Sequence, residues 1–138
     1  MQIWDTRRMD APVAQLDAGG GVWRIKWCPL PQRNDLLLLA CMHAGFKIVR
    51  QSCSSGADGR LIDTCAQTEE GSEAAAGLLS VVAHHTGHAS LAYGVDWLRT
   101  PVVADAEAGA AHPQIQPLIG SCSFYDHLLH SWQPTAAI

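Results

Sequence analysis

The stretch that most restricts how this chain can fold is 118–132, LIGSCSFYDHLLHSW. A strand of apolar and small residues (118–124) runs into a turn carrying Asp126, and a second strand then ends on Trp132, six residues after that aspartate. A carboxylate in a tight turn can accept backbone N–H groups, and a tryptophan closing the next strand brings a large, stiff apolar surface. The unit is therefore a β-hairpin pinned at its turn and anchored at its end.

Related pieces recur upstream in the same order, as expected of a WD-repeat β-propeller blade. Gln2-Ile3-Trp4-Asp5 reads as the WD dipeptide that ends a third strand, and Pro12 to Leu16 can form the outer strand beside it. Residue 1 thus reads as a start inside a longer parent. After the Gly19-Gly20-Gly21 turn, VWRIKW (22–27) alternates, with Trp23, Ile25 and Trp27 on one face. The apolar run 36–42 suits a central strand buried on both faces. His43-Ala44-Gly45 makes a turn, and 46–49 a third strand. Laid on the Asp-to-Trp frame, His43 holds the aspartate place and Val49 the tryptophan place. Strand character resumes at 78–82 and the Gly87-His88 pair matches the opening of many WD repeats. Tyr93, Val95 and Trp97 then stand where Trp23, Ile25 and Trp27 stood, 70 residues later.

The expected fold class is all-β: a WD-repeat β-propeller fragment of about two blades plus a leading strand pair. Its expected parts are the end of a blade (1–17), a blade (18–82) with a disordered insertion at 51–76, a last blade (83–133) with a loop insertion at 99–116, and a tail (134–138). Trp23, Trp27, Trp97 and Trp132 are expected in the core. Three strands in the last blade leave an open sheet edge, a template for association.

Composition narrows the function classes. Hydrophobic residues make up 48% and charged residues 16% of the 138 positions, which suits a globular chain. A net charge of -4 with scattered Lys and Arg argues against nucleic acid as a partner. No segment approaches the roughly 18 consecutive apolar residues of a membrane helix, and MQIWDTRR lacks a signal-peptide core, so no membrane partner and a cytoplasmic location are expected. Five cysteines without a CxxC pair signal neither disulfides nor a zinc site. His84, His85 and His88 cluster in sequence, but no carboxylate or cysteine stands at ligand spacing, and the Gly-His place explains His88 structurally. Neither a metal nor any other cofactor is expected.

GGGVWRIKW, CMHAGFKI, SLAYGVDW and SCSFYDHLLHSW together resemble the C-terminal blades of the diphthine methyltransferase (diphthine methylesterase) family, WD-repeat proteins of diphthamide biosynthesis. The resemblance covers roughly 22–50 and 88–132. It rests on SFYDH with GVWRIKW, because ordinary repeats favour a Ser-x-Asp-Gly turn, whereas Phe124 and His127 here fill the serine and glycine places. It implies a parent that hydrolyses the methyl ester of diphthine on elongation factor 2 as its protein substrate. The alternatives are a non-catalytic WD-repeat interaction scaffold and an inactive truncated isoform.

Ester hydrolysis needs an activated water or side-chain nucleophile, a base, and donors for the oxyanion. Gly120-Ser121-Cys122-Ser123-Phe124 lacks the second glycine of a nucleophile elbow. The candidate catalytic residues are His43 and His127 as base, Asp126 as its orienter, and Ser123 or Cys122 as nucleophile. A purely structural reading stands beside this one: Asp126 caps the turn, His127 covers a turn position, and Cys122 is a small buried hydrophobe. His130, on the final strand, falls on the opposite face from His127.

Overall fold

The computed structural model describes residues 1–7, 9–52, 78–99, 102–103 and 115–134. They form eleven strands and a single-turn 3-10 segment, Pro31–Arg33, with no α-helix among them. None of these elements is a helix long and apolar enough to cross a membrane. Most of the insertion expected at 51–76, much of that at 99–116 and most of the tail lie outside the described residues.

One sheet is an antiparallel meander of four strands, β3 (Arg24–Trp27), β4 (Leu36–Ala40), β5 (Phe46–Gln51) and β6 (Leu79–His85), each bonded to the next. A second sheet has the order β11-β10-β7, built from β7 (Ala92–Trp97), β10 (Ile119–Ser123) and β11 (Leu129–Trp132). Two short ribbons complete the set. β1 (Gln2–Ile3) pairs with β2 (Ala14–Gln15), and β8 (Val102–Val103) with β9 (Ile115–Gln116). Neighbouring antiparallel meanders of this form are consistent with a β-propeller fragment of a few strands.

β4 organises the core. All five of its residues are buried. Successive side chains of a strand point to opposite faces, and here the two faces meet different neighbours. Leu36, Leu38 and Ala40 pack with Phe46, Ile48, Val95, Trp97 and Ile119 between the two sheets. Leu37, Leu39 and Cys41 pack on the other side with Ala14, Ala18, Val49 and Leu79, where Ile3 and Leu16 of the N-terminal ribbon cover them. Fully burying one leucine contributes roughly 1.5–3 kcal/mol, so this strand carries a large share of the hydrophobic driving force. Burial also holds the Cys28 and Cys41 thiols above their ordinary pKa.

Two of the expected core tryptophans are not core. Trp23 and Trp27 are 57% and 52% exposed, whereas Trp97, the counterpart of Trp27, is 4% exposed. The reason is position. Strand β7 lies against β3 and β4, so Trp97 is covered and its indole N–H donates to the Lys26 carbonyl (3.1 Å). On the corresponding face of β3, no sheet packs among the described residues. Trp23 instead meets Tyr93 edge-on, with ring centroids 5.0 Å apart. Trp132 is half-buried against the core between the sheets.

Two turns prepare the site. Between β4 and β5 the chain reverses through Met42 (φ 48°) and Gly45 (φ 69°), closed by Ala44 N–H to Cys41 O (2.9 Å) and Cys41 N–H to Gly45 O (2.8 Å). A Cβ on Gly45 would lie 2.6 Å from the His85 carbonyl oxygen, so both its φ and its surroundings call for glycine. Between β10 and β11 the reversal passes through His127 at φ 56°.

Candidate functional site

The turn aspartate, the His88 ring and the strands of the second sheet are joined by a continuous line of hydrogen bonds. Trp132, at the end of β11, donates its indole N–H to Ser121 Oγ (3.1 Å). Ser121 Oγ lies 3.0 Å from His88 Nε2, and His88 Nδ1 lies 3.0 Å from Asp126 Oδ2. Asp126 Oδ1 accepts the Leu128 N–H (3.0 Å). In the neutral ring the carboxylate assigns the proton to Nδ1. Nε2 then accepts from the Ser121 hydroxyl, which in turn accepts from Trp132, and every partner is satisfied.

This order matches the Ser–His–Asp arrangement of many hydrolases, but its environment does not. Ser121 is 1% exposed, and its oxygen is engaged by both Trp132 and His88. A nucleophile must reach a substrate carbon, and this one is sealed. The side chains of His88 and Asp126 are likewise only 2% and 9% exposed. The line therefore fastens the loop between the sheets, the turn and two strands to one another. Groups around Asp126 hold its carboxyl well below the usual carboxylate range. The Ser123 hydroxyl contributes most, although it is buried without a hydrogen bond of good geometry. The Leu128 amide and His88 add to it.

A pH dependence follows. A carboxyl whose folded pKa is depressed contributes stability that is present above its unfolded value near pH 4 and is lost as pH falls toward the folded value. Asp126→Asn is expected to lower stability at pH 7 and to make the loss between about pH 4 and pH 2 shallower, as checked by urea titrations across that range. Parallel wild-type and variant curves would assign the acid sensitivity to other groups.

The expected catalytic residues are only partly gathered together. Asp126 pairs with His88 and with the Leu128 amide, and neither contact involves His43 or His127. His43 lies in the β4–β5 turn and lines a small pocket of ≈ 60 Å³ with Gly45, Phe46, His85, Thr86, His88 and Ser90. His127 is exposed at the tip of the β10–β11 turn. Ser123 is buried, while Cys122 is exposed rather than a buried hydrophobe, because it occupies the outward face of β10 between Ser121 and Ser123.

Sequence reasoning missed Ser121, whose place was legible as the middle of an inward Ile119, Ser121, Ser123 alternation. It also missed the meeting of His85 and His130, 45 residues apart, whose ring nitrogens Nε2 and Nδ1 stand 3.4 Å from each other. Desolvation, followed by the neighbouring His130, His88 and His84, lowers the pKa of His85.

Sheet order, the two-faced core and the pinned turn define an all-β chain built of propeller blades. Known proteins narrow this class. Over 95 residues the chain is 43% identical to human diphthine methyltransferase, covering 69% of this chain and 17% of that protein. It is 33% identical over 135 residues to the Dictyostelium discoideum diphthine methyltransferase homolog, covering 97% of this chain and 29% of the relative. It is 30% identical over 124 residues to the Saccharomyces cerevisiae diphthine methyltransferase, covering 84% and 22%. The chain is diphthine methyltransferase-like, and it spans less than a third of the length of these relatives. No family model matches it, and no solved structure matches it.

Proposed function

We propose that this chain forms WD-repeat blades, with boundaries near 18–82 and 83–133, of a cytoplasmic hydrolase in diphthamide biosynthesis. Its substrate is the methyl ester of diphthine carried by elongation factor 2. The observation that carries this reading is the 33% identity to a diphthine methyltransferase homolog, sustained over 97% of the chain rather than confined to one strand pair. In the proposed reaction His43 takes a proton from water, the water oxygen bonds to the ester carbonyl carbon, and the carbon–oxygen bond to the methoxy group breaks. The methoxy group takes that proton back from His43 and leaves as methanol, and the acid formed releases its remaining proton to solvent as a free carboxylate. His43 suits the role by its place at a pocket rather than inside a saturated hydrogen-bond line, and His127 at the second turn is the other candidate base. Asp126 supports the site by holding that second turn in shape.

The test is a chimaera in which this chain replaces the matching segment of the Dictyostelium relative. Mass spectrometry of methylated elongation factor 2 after incubation is expected to show loss of the ester methyl group. Full retention of that group by a folded chimaera would favour the scaffold reading.

A further inference from the structure

We infer that His85 Nε2 and His130 Nδ1 form a binding site for a divalent transition metal of the zinc class at the junction of the two sheets, with His88 as the third ring within reach. This inference does not depend on the hydrolase reading. The two nitrogens face each other at 3.4 Å, long for a hydrogen bond. Zn–N bonds of 2.0–2.1 Å in a tetrahedral site place two ligand nitrogens about 3.3–3.4 Å apart, so the pair already has the spacing of a tetrahedral edge. Ligand atoms of all three histidines lie within 4.8 Å of one another.

The surroundings hold the rings in place and leave room for an ion. His85 stacks on Trp132 (centroids 4.5 Å apart, planes 8° apart), and His130 stacks on His88 (3.8 Å, 23°). Neither ring needs to be reoriented for its nitrogen to face the other. His88 in turn is steered by Asp126 through Nδ1, the carboxylate–histidine pairing that commonly orients metal ligands. For His88 to coordinate through Nε2 as well, its ring must turn out of the stack on His130 and exchange the Ser121 hydroxyl for the metal, so His85 and His130 are the two primary ligands.

Gly87 is the second, independent observation. A Cβ there would lie 2.8 Å from His85 Cε1, 2.9 Å from His85 Nε2 and 3.3 Å from His130 Nδ1, against the edge of the His85 ring beside the gap. Any side chain at 87 would thus crowd the gap between the two nitrogens, and glycine keeps that gap open. Imidazole donors at this spacing suit Zn²⁺, Cu²⁺ or Ni²⁺ rather than Mg²⁺ or Ca²⁺. Coordination positions not filled by the rings fall to water or an exogenous ligand.

The test uses the 138-residue chain equilibrated with ZnCl₂ and then dialysed, with zinc counted by inductively coupled plasma mass spectrometry. Substitution with Co²⁺ gives a visible absorption spectrum that reports nitrogen ligation. One equivalent of zinc is expected in the wild type. Gly87→Ala, which removes no ligand, and the double variant His85→Asn/His130→Asn are each expected to weaken binding by ~10-fold or more. Near-UV circular dichroism checks the fold of each form, and His130→Gln replaces the double variant if that one unfolds. Absence of zinc from the wild type would overturn the inference. So would equal zinc in wild type and variants, because metal held by scattered or unfolded histidines is indifferent to a methyl group at position 87.

Discussion

Trp97→Ala is expected to lower the unfolding free energy by about 3–5 kcal/mol, the usual range for truncating a buried aromatic. The side chain is 4% exposed and packs in the cluster that joins the two sheets, beside Leu36, Leu38, Phe46 and Ile119. Alanine leaves a void bounded by strands from both sheets, which cannot collapse without shifting one against the other. It also removes the donor to the Lys26 carbonyl. Trp27→Ala, at the matching position of β3, changes a residue that is 52% exposed and is expected to cost far less. Urea titrations of the two variants side by side check this. Equal losses would mean that the outer face of β3 is covered and that exposure does not separate the two tryptophans.

In the chimaera, His43→Gln is expected to reduce hydrolysis of the diphthine methyl ester by ~10²–10⁴-fold, the usual contribution of a general base. Its melting temperature should barely move. The residue sits in a turn closed by backbone hydrogen bonds that do not involve its side chain, so glutamine leaves that framework intact. His127→Gln is the companion variant, because its turn is the counterpart in the second sheet. Mass spectrometry of elongation factor 2 beside a thermal melt separates loss of chemistry from loss of fold. Normal turnover in both variants would move the base to a residue outside these two turns.

The fold was legible wherever the pattern was local. The unbroken apolar run at 36–42 required a strand covered on both faces, and β4 is covered on both. The aspartate in SFYDH was expected to accept a backbone N–H, and it accepts that of Leu128. Alternation in VWRIKW correctly separated two faces but could not say which one a neighbour would cover. Trp23 and Trp27 therefore resembled Trp97 in sequence while differing from it in burial. The candidate site was less legible, because its contacts join distant positions. His88 meets Ser121 across 33 residues and Asp126 across 38, and nothing in local spacing announces a ring that bridges a strand and a turn. Nothing in the sequence links His130 to His85, because it does not reveal how closely β11 approaches the end of β6.

The Ala92 amide donates to the Met42 carbonyl at 3.0 Å, a single backbone bond that carries the end of β4 into the first residue of β7. Ala92 is fully buried, so this bond is shielded from water. Peeling away either sheet must break it and expose both polar groups, and that penalty falls on whichever sheet opens first. The division between blades is therefore a boundary of repetition across which burial continues: the shared core cluster and this bond both join the sheets, and solvent exchange at Ala92 is expected to require their separation.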